Sequence, residues 1–183
     1  TDFVRNSDGW WIETQTKDRM GPFDWIMSTA PADQPAALMP ADFSGQAELA
    51  RVRMSGCFAL MLGFETPLNL PWQALKSGDT PIGWMAVNSQ KPSRPGAYSL
   101  LIQSANDWAD AHIEGPLEEV QQTLLRAASE LTGLDLSAAT HQVLHRWRYA
   151  SPPVPAGVPF LFDPPQRLAA CGDWCLGSKV EAA

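Results

Sequence analysis

The chain has 183 residues, 13 lysines and arginines against 20 aspartates and glutamates, a net charge of −7 and 45% hydrophobic residues. That balance fits one folded domain and excludes general disorder. The acidic charge argues against a nucleic-acid partner, and no apolar run approaches the roughly 20 residues of a membrane-spanning helix, so no membrane role is expected. Eight tryptophans and 16 prolines are unusual, and the sequence opens on Thr1. Bulky indoles often line sites for flat ligands. The three cysteines, Cys57, Cys171 and Cys175, form neither a disulfide framework nor a zinc-ligand spacing. A reducing, cytoplasmic setting is the expectation.

In chain order, residues 9–16 and 23–29 read as strands rich in Trp, Ile and Thr, with Asp18, Gly21 and Pro22 as the turn between them. Asp33 is placed to cap a short helix through Leu38 or Met39, with Pro35 in its first turn. A second short helix is expected over 44–51. Residues 52–64 alternate with period two. Val52, Met54, Phe58, Leu60, Leu62 and Phe64 share one face, and smaller or mixed residues share the other. Further strands are expected at 82–88 and 97–104. Strands joined by loops without intervening helices point to an antiparallel sheet.

Asn106 or Asp107 caps a helix through His112. A longer helix starts after Gly115-Pro116, with Leu117, Val120, Leu124, Ala127 and Leu131 on one face, and Gly133 ends it. Ser137 is expected to cap another helix to about Leu144, before a strand over 145–149 with Arg146 and Arg148 on one face. Residues 152–165 hold six prolines and read as a non-helical connection. The short strand 168–171 leads through Gly172-Asp173 and a Gly-Ser turn into a helix opening at Val180.

Several chemistries lack their residues. His141 and His145 have H-x3-H spacing, but Gln142 stands where a zinc protease needs glutamate, and no third ligand is near, so no metal site is expected. There is no G-x-S-x-G, no two of the 13 glycines are two residues apart, and neither a dinucleotide fingerprint nor a Walker loop is present. The richest segment is 168–183. Asp173, at a strand's carboxyl end, can accept hydrogen bonds from ribityl or ribose hydroxyls, and a helix starting near Val180 would offer free N–H groups to a pyrophosphate or an anionic flavin ring. An ordinary strand–turn–helix with Asp173 as a cap fits the same residues equally well.

The run ACGDWCLGSKVEAA resembles the closing FAD-binding motif of flavin-containing amine oxidases, in particular the renalase-like bacterial FAD/NAD(P)-dependent oxidoreductases. GPFDWIMSTAPADQ, CFALMLGF, LPW, GWMAVNSQKP, LLIQSANDWADAHIE and HRWRYA are similar to the family in the same order, over nearly the whole chain. The family's N-terminal G-x-G-x-x-G unit does not occur, so the resemblance implies an excerpt of a longer protein. It implies an α+β substrate domain over 33–160, with a mixed, largely antiparallel sheet and helices on one side. Residues 1–32 and 161–183 would be parts of the FAD-binding α/β domain.

The implied activity is hydride transfer from an amine or dihydronicotinamide-type small molecule to flavin N5, with reoxidation by oxygen. The implied cofactor is FAD, held by Gly172, Asp173, Trp174, Lys179 and Val180. Trp84, Asn88 and Trp147 are the expected substrate contacts, since indoles stack on flat rings or face cations. Trp84 and Asn88 are expected on one face of the strand 82–88. Arg146 and Arg148 are placed to meet a substrate or nicotinamide phosphate, or to form an exposed strand face. A non-catalytic α+β module that binds a ligand or partner through its tryptophans is the competing reading.

Overall fold

The computed structural model describes residues 1–78, 81–94 and 97–179. The chain divides into two compact units: Thr1–Met54 with Ser151–Ala183, and Ser55–Ala150. The fold is α+β, with mixed, mostly antiparallel sheets and few helices.

In the first unit, β1 (Asp2–Asn6), β2 (Gly9–Glu13) and β3 (Arg19–Phe23) form an antiparallel sheet in the order β1-β2-β3. The reversal between β2 and β3 lies at residues 14–18. There Thr14 N–H donates to the Asp18 carbonyl at 2.9 Å, and Asp18 N–H donates to Thr14 Oγ1 at 3.1 Å. The turn expected at Gly21 and Pro22 is therefore a strand. A Cβ on Gly21, whose φ is 145°, would lie 2.7 Å from the Trp10 carbonyl oxygen, so this glycine permits close strand approach.

The strand expected over 23–29 is also broken. Phe23 closes β3, while β4 (Ile26–Ser28) joins a second sheet with β10 (Leu161–Asp163) and β11 (Leu168–Ala170), in the order β10-β11-β4. The pair β10/β11 is antiparallel and β11/β4 is parallel. β10 fits into the proline-free gap between Pro159 and Pro164 of the supposed connection. Helix α1 (Asp33–Leu38) begins at Asp33 itself, with Ala32 in the cap position, and α2 (Gln46–Arg51) follows. Trp10, Ile26, Phe43, Leu49, Leu168 and Trp174 belong to this unit's core.

The second unit is built on β5 (Ser55–Phe64), β6 (Ala74–Lys76), β7 (Ile82–Val87), β8 (Tyr98–Ser104) and β9 (His141–Ser151), in the order β6-β7-β8-β5-β9. The pairs β6/β7, β7/β8 and β8/β5 are antiparallel. β5 starts three residues later than its alternation suggests, because Val52 and Met54 sit in the first unit's core. Helices α3 (Asn106–His112) and α4 (Leu117–Thr132) supply Ala109, Val120, Leu124 and Ala128 to a core with Phe58, Leu60 and Leu62. Gly133 ends α4 in the left-handed region at φ 69°.

Two sequence expectations fail here. The helix over 137–144 is a single 3-10 turn, Leu136–Ala138, whose Ser137 N–H is held by Asp135 Oδ1 at 3.0 Å. From His141 the chain is strand, because the alternation of 141–149 suits an edge beside β5. The H-x3-H pair is therefore strand-borne. Asn88 also leaves its expected strand: β7 stops at Val87, and Asn88 opens a 3-10 turn over Asn88–Gln90.

Candidate functional site

Side chains alternate across a strand, so Phe58, Leu60 and Leu62 in the helix-side core leave Cys57, Ala59, Met61 and Gly63 on the opposite face of the sheet. The register then builds this face outward. Ala59 pairs with Gln103, Gln103 with Trp84, and Trp84 with Lys76. The next row runs Met61, Leu101, Ala86 and Ala74. On the other side, Thr140 N–H donates to the Gly63 carbonyl at 2.9 Å. A Cβ on Gly63 would lie 3.1 Å from His141 Cβ, so His141 shares this face. By alternation Val143, His145 and Trp147 follow it.

On this face Cys57, Ala59 and Ala86 form a floor of small residues, all buried. On either side stand the indoles of Trp84, 40% exposed, and Trp147, 52% exposed. Three strand spacings separate their strands, or about 14 Å. The His145 ring packs edge-on against Trp147 with centroids 4.2 Å apart. Burial pushes the Cys57 thiol above its ordinary pKa, against smaller opposing effects of hydrogen bonds to Ser104, so it remains a neutral part of the floor.

Trp84 reaches this face through a bulge. The β7/β8 register shifts between Ile82 and Trp84, so Ile82 and Met85 are both buried while Trp84 points outward. Gly83 lies at the shift, and a Cβ there would sit 3.1 Å from the Ser104 carbonyl oxygen. The structure thus brings Trp84 and Trp147 to one surface and leaves Asn88, half-buried in its 3-10 turn, off the strand that carries Trp84. His145, Gln103 and Met61 are additional members of the face. Their signal was the small or mixed side of the 52–64 alternation, extended across the sheet by register.

Arg146 and Arg148 are not free to meet a phosphate. Arg146 Nη2 donates to the Gly115 carbonyl at 2.7 Å, and its guanidinium lies 5.8 Å from the centroid of the Phe58 ring, on the helix side. Arg148 makes a two-pronged pair with Glu114, one contact being Nη2–Oε2 at 3.0 Å. The Arg148 hydrogen bond, more than its charge alone, draws the Glu114 carboxyl below its ordinary pKa.

The second candidate surface belongs to the first unit. β4 and β11 run parallel and end side by side at Ser28 and Ala170, and Cys171 N–H donates to the Ser28 carbonyl at 3.0 Å. Gly172 and Asp173 follow, half-buried. Trp174 is fully buried, its Nε1–H donating to the Ala30 carbonyl at 3.0 Å. Ala156 N–H and Gly157 N–H hold the Trp174 and Cys175 carbonyls at 2.9 and 2.8 Å. Trp174 therefore anchors the turn from within the core, while Gly172 and Asp173 lie at the carboxyl ends of two parallel strands, where open α/β sheets bind ligands. Lys179 is exposed, its N–H bonded to the Gly177 carbonyl at 2.7 Å. Val180, with the helix expected to open there, lies outside the described residues. Among the described residues no group of three His, Cys, Asp or Glu is arranged to hold a metal, and no helix is long and apolar enough to cross a membrane.

No protein-family profile matches the sequence. Solved structures do resemble the fold. An Exiguobacterium protein assigned as a protoporphyrinogen oxidase matches over 98% of this chain and 42% of its own, with TM-score 0.75 and 16% identity. Cyclohexylamine oxidase from Brevibacterium oxydans matches over 99% of this chain and 44% of its own, with TM-score 0.67 and 13% identity. A putrescine oxidase bound to putrescine matches over 78% of this chain and 32% of its own, with TM-score 0.59 and 13% identity. The chain spans less than half of each of these proteins. At such identities the likeness establishes a shared fold, that of part of these oxidases.

Proposed function

We propose that the chain contributes the substrate-facing sheet and the closing cofactor turn of an FAD-dependent amine oxidoreductase, of the renalase-like kind its sequence resembles. In this reading the middle of the chain, about 33–160, is the substrate domain, and the flanks 1–32 and 161–183 belong to the FAD-binding domain. The observation that carries the reading is the sheet face opposite α3 and α4, where Trp84 and Trp147 stand exposed beside small, buried residues. Its likeness in fold to part of several amine oxidases supports the assignment.

The residues at the end of β11 suit a nucleotide cofactor. Asp173 lies beside the carboxyl ends of parallel strands with an acceptor for ribityl or ribose hydroxyls, and Gly172 keeps the turn slim. FAD, when bound, would supply the hydride acceptor. The protein's part is then to orient the donor, exclude water and hold the cofactor, work that needs no nucleophile. Trp84 and Trp147 would flank a flat donor, and Trp174 and Lys179 would fix and flank the cofactor turn.

The test is flavin binding by the complete gene product after gentle purification and addition of FAD. Stoichiometric bound flavin is expected. Asp173→Ala should weaken it roughly ten- to a hundredfold, the worth of hydrogen bonds to a carboxylate. A protein that stays colourless and leaves FAD fluorescence unchanged would overturn the proposal.

A further inference from the structure

We propose that the groove between the free edge of β9 and helix α4 binds an extended segment of a partner protein. The segment joins the sheet as a further strand and presents alternating apolar side chains and a lysine or arginine to α4. This site lies on the helix side of the sheet, away from Trp84, and is independent of the oxidase reading.

The first observation is an unguarded edge. β9 closes the order β6-β7-β8-β5-β9, so its 11 residues pair with β5 on one side only. The opposite edge strand, β6, has only three residues. Natural edges of such length are commonly blunted by proline or by lysines standing out from the strand. Residues 141–151 hold neither. Their two arginines are drawn to the helix side, where Arg146 meets the Gly115 carbonyl and Arg148 meets Glu114. Val143 and Tyr149 stand 41% exposed on the same strand. An edge of this kind is a template for an added strand, whose main-chain N–H and C=O groups meet its own.

The second observation is the groove beside that edge. By alternation Gln142 and Leu144 share the helix side with Arg146, and α4 sets Leu117, Gln121 and Leu125, spaced four apart on one helix face, against them. With Glu118 they line a groove of about 460 Å³. Gln121 Nε2 donates to Gln142 Oε1 at 3.1 Å, bridging helix and strand. Every second side chain of an added strand would point toward α4 and meet the leucines there. The third observation is charge. Among the described residues Glu118 is the one charged side chain lining the groove, and the chain carries −7 overall. Both favour a basic segment over a second copy. Two copies paired through β9 about an axis normal to the sheet would place both α4 helices on one side and bring Glu118 of each into the same groove.

The test is fluorescence anisotropy of a labelled, end-blocked peptide, Thr-Leu-Thr-Lys-Thr-Leu-Thr, titrated with the 183-residue chain. Its two leucines and its lysine share one face when extended. Saturable binding is expected. Replacing the peptide's lysine by glutamate should weaken binding at least about tenfold, and Glu118→Lys in the chain should reverse that preference. N-methylation of one alternate set of peptide amides should abolish binding, and of the other set should leave it within about twofold, because only one edge of the added strand faces β9. Amide exchange over residues 141–149 should slow in the complex. The chain alone should sediment as a monomer.

Absence of saturable binding would overturn the proposal. So would binding indifferent to both N-methyl patterns, or a preference for lysine over glutamate that Glu118→Lys leaves unchanged. A chain that dimerises with slowed exchange over 141–149 and excludes the peptide would assign the edge to a second copy instead. Binding of the glutamate peptide by Glu118→Lys shows that the variant folds. None of these readouts involves flavin or the face that carries Trp84, so each leaves the oxidase reading standing.

Discussion

Gly172 has no room for a side chain. A Cβ there would lie 2.6 Å from Trp174 Nε1, and that indole is fully buried and tied to the Ala30 carbonyl. Gly172→Ala should therefore cost about 1–3 kcal/mol, the usual range for overpacking, read as a lower urea midpoint with an unchanged slope. Asp163 makes a different kind of prediction. Its carboxyl is held below its ordinary pKa, chiefly by Ser44 N–H at 2.8 Å and further by Gln166 N–H at 3.1 Å and the charge of Arg5. Because the folded value is the lower one, the stabilisation is complete above the ordinary carboxylate value, about 3.9, and is lost as pH falls through the folded value. Asp163→Asn should thus be less stable than wild type at neutral pH, and the gap in urea midpoint should close on acidification. A gap that widens toward low pH would contradict this account. Little of this is legible in the sequence: the indole that crowds Gly172 is tied to Ala30, 144 residues away, and Asp163 to Ser44, 119 residues away.

Among the elements, α4 was the easiest to read, and its bounds follow from Pro116 and Gly133. Its buried stripe is nonetheless Val120, Leu124 and Ala128, while Leu117 and Leu131, on the expected apolar face, are exposed. Leu124→Ala should cost about 2–5 kcal/mol and Leu131→Ala about 0.5 kcal/mol or less, separable by denaturant melts. β9 was misread in its first half because Ser137 and the H-x3-H spacing imitate a helix. Asp135 spends that capping signal on one 3-10 turn, and partnership with β5 decides the rest. β7 shows the opposite failure. Its strand is plain in the sequence, but the bulge at Gly83 puts Ile82 in the core and leaves Trp84 on the outer face. Trp84 and Asn88 share parity, yet β7 stops at Val87, before Asn88. The structure keeps Trp84 on the open face and puts Asn88 in the turn beyond.

For the whole chain, the antiparallel character of the central sheet was visible as strands joined without helices. The small first-unit sheets were not, since β4 and β11 meet across 140 residues of sequence and three-residue strands carry almost no periodic signal. The tryptophan excess resolves into distinct uses: Trp10 and Trp174 fill a core, while Trp84 and Trp147 stand exposed on the outer face of the central sheet. The oxidase proposal needs both that surface and the turn at Gly172-Asp173. The most direct measurement is an anaerobic titration of the complete, FAD-loaded gene product with 2-phenylethylamine, followed by admission of air. The account predicts that the flavin absorbance bleaches with the amine and returns with oxygen. A flavin that stays oxidised under saturating amines of every class tried would contradict it.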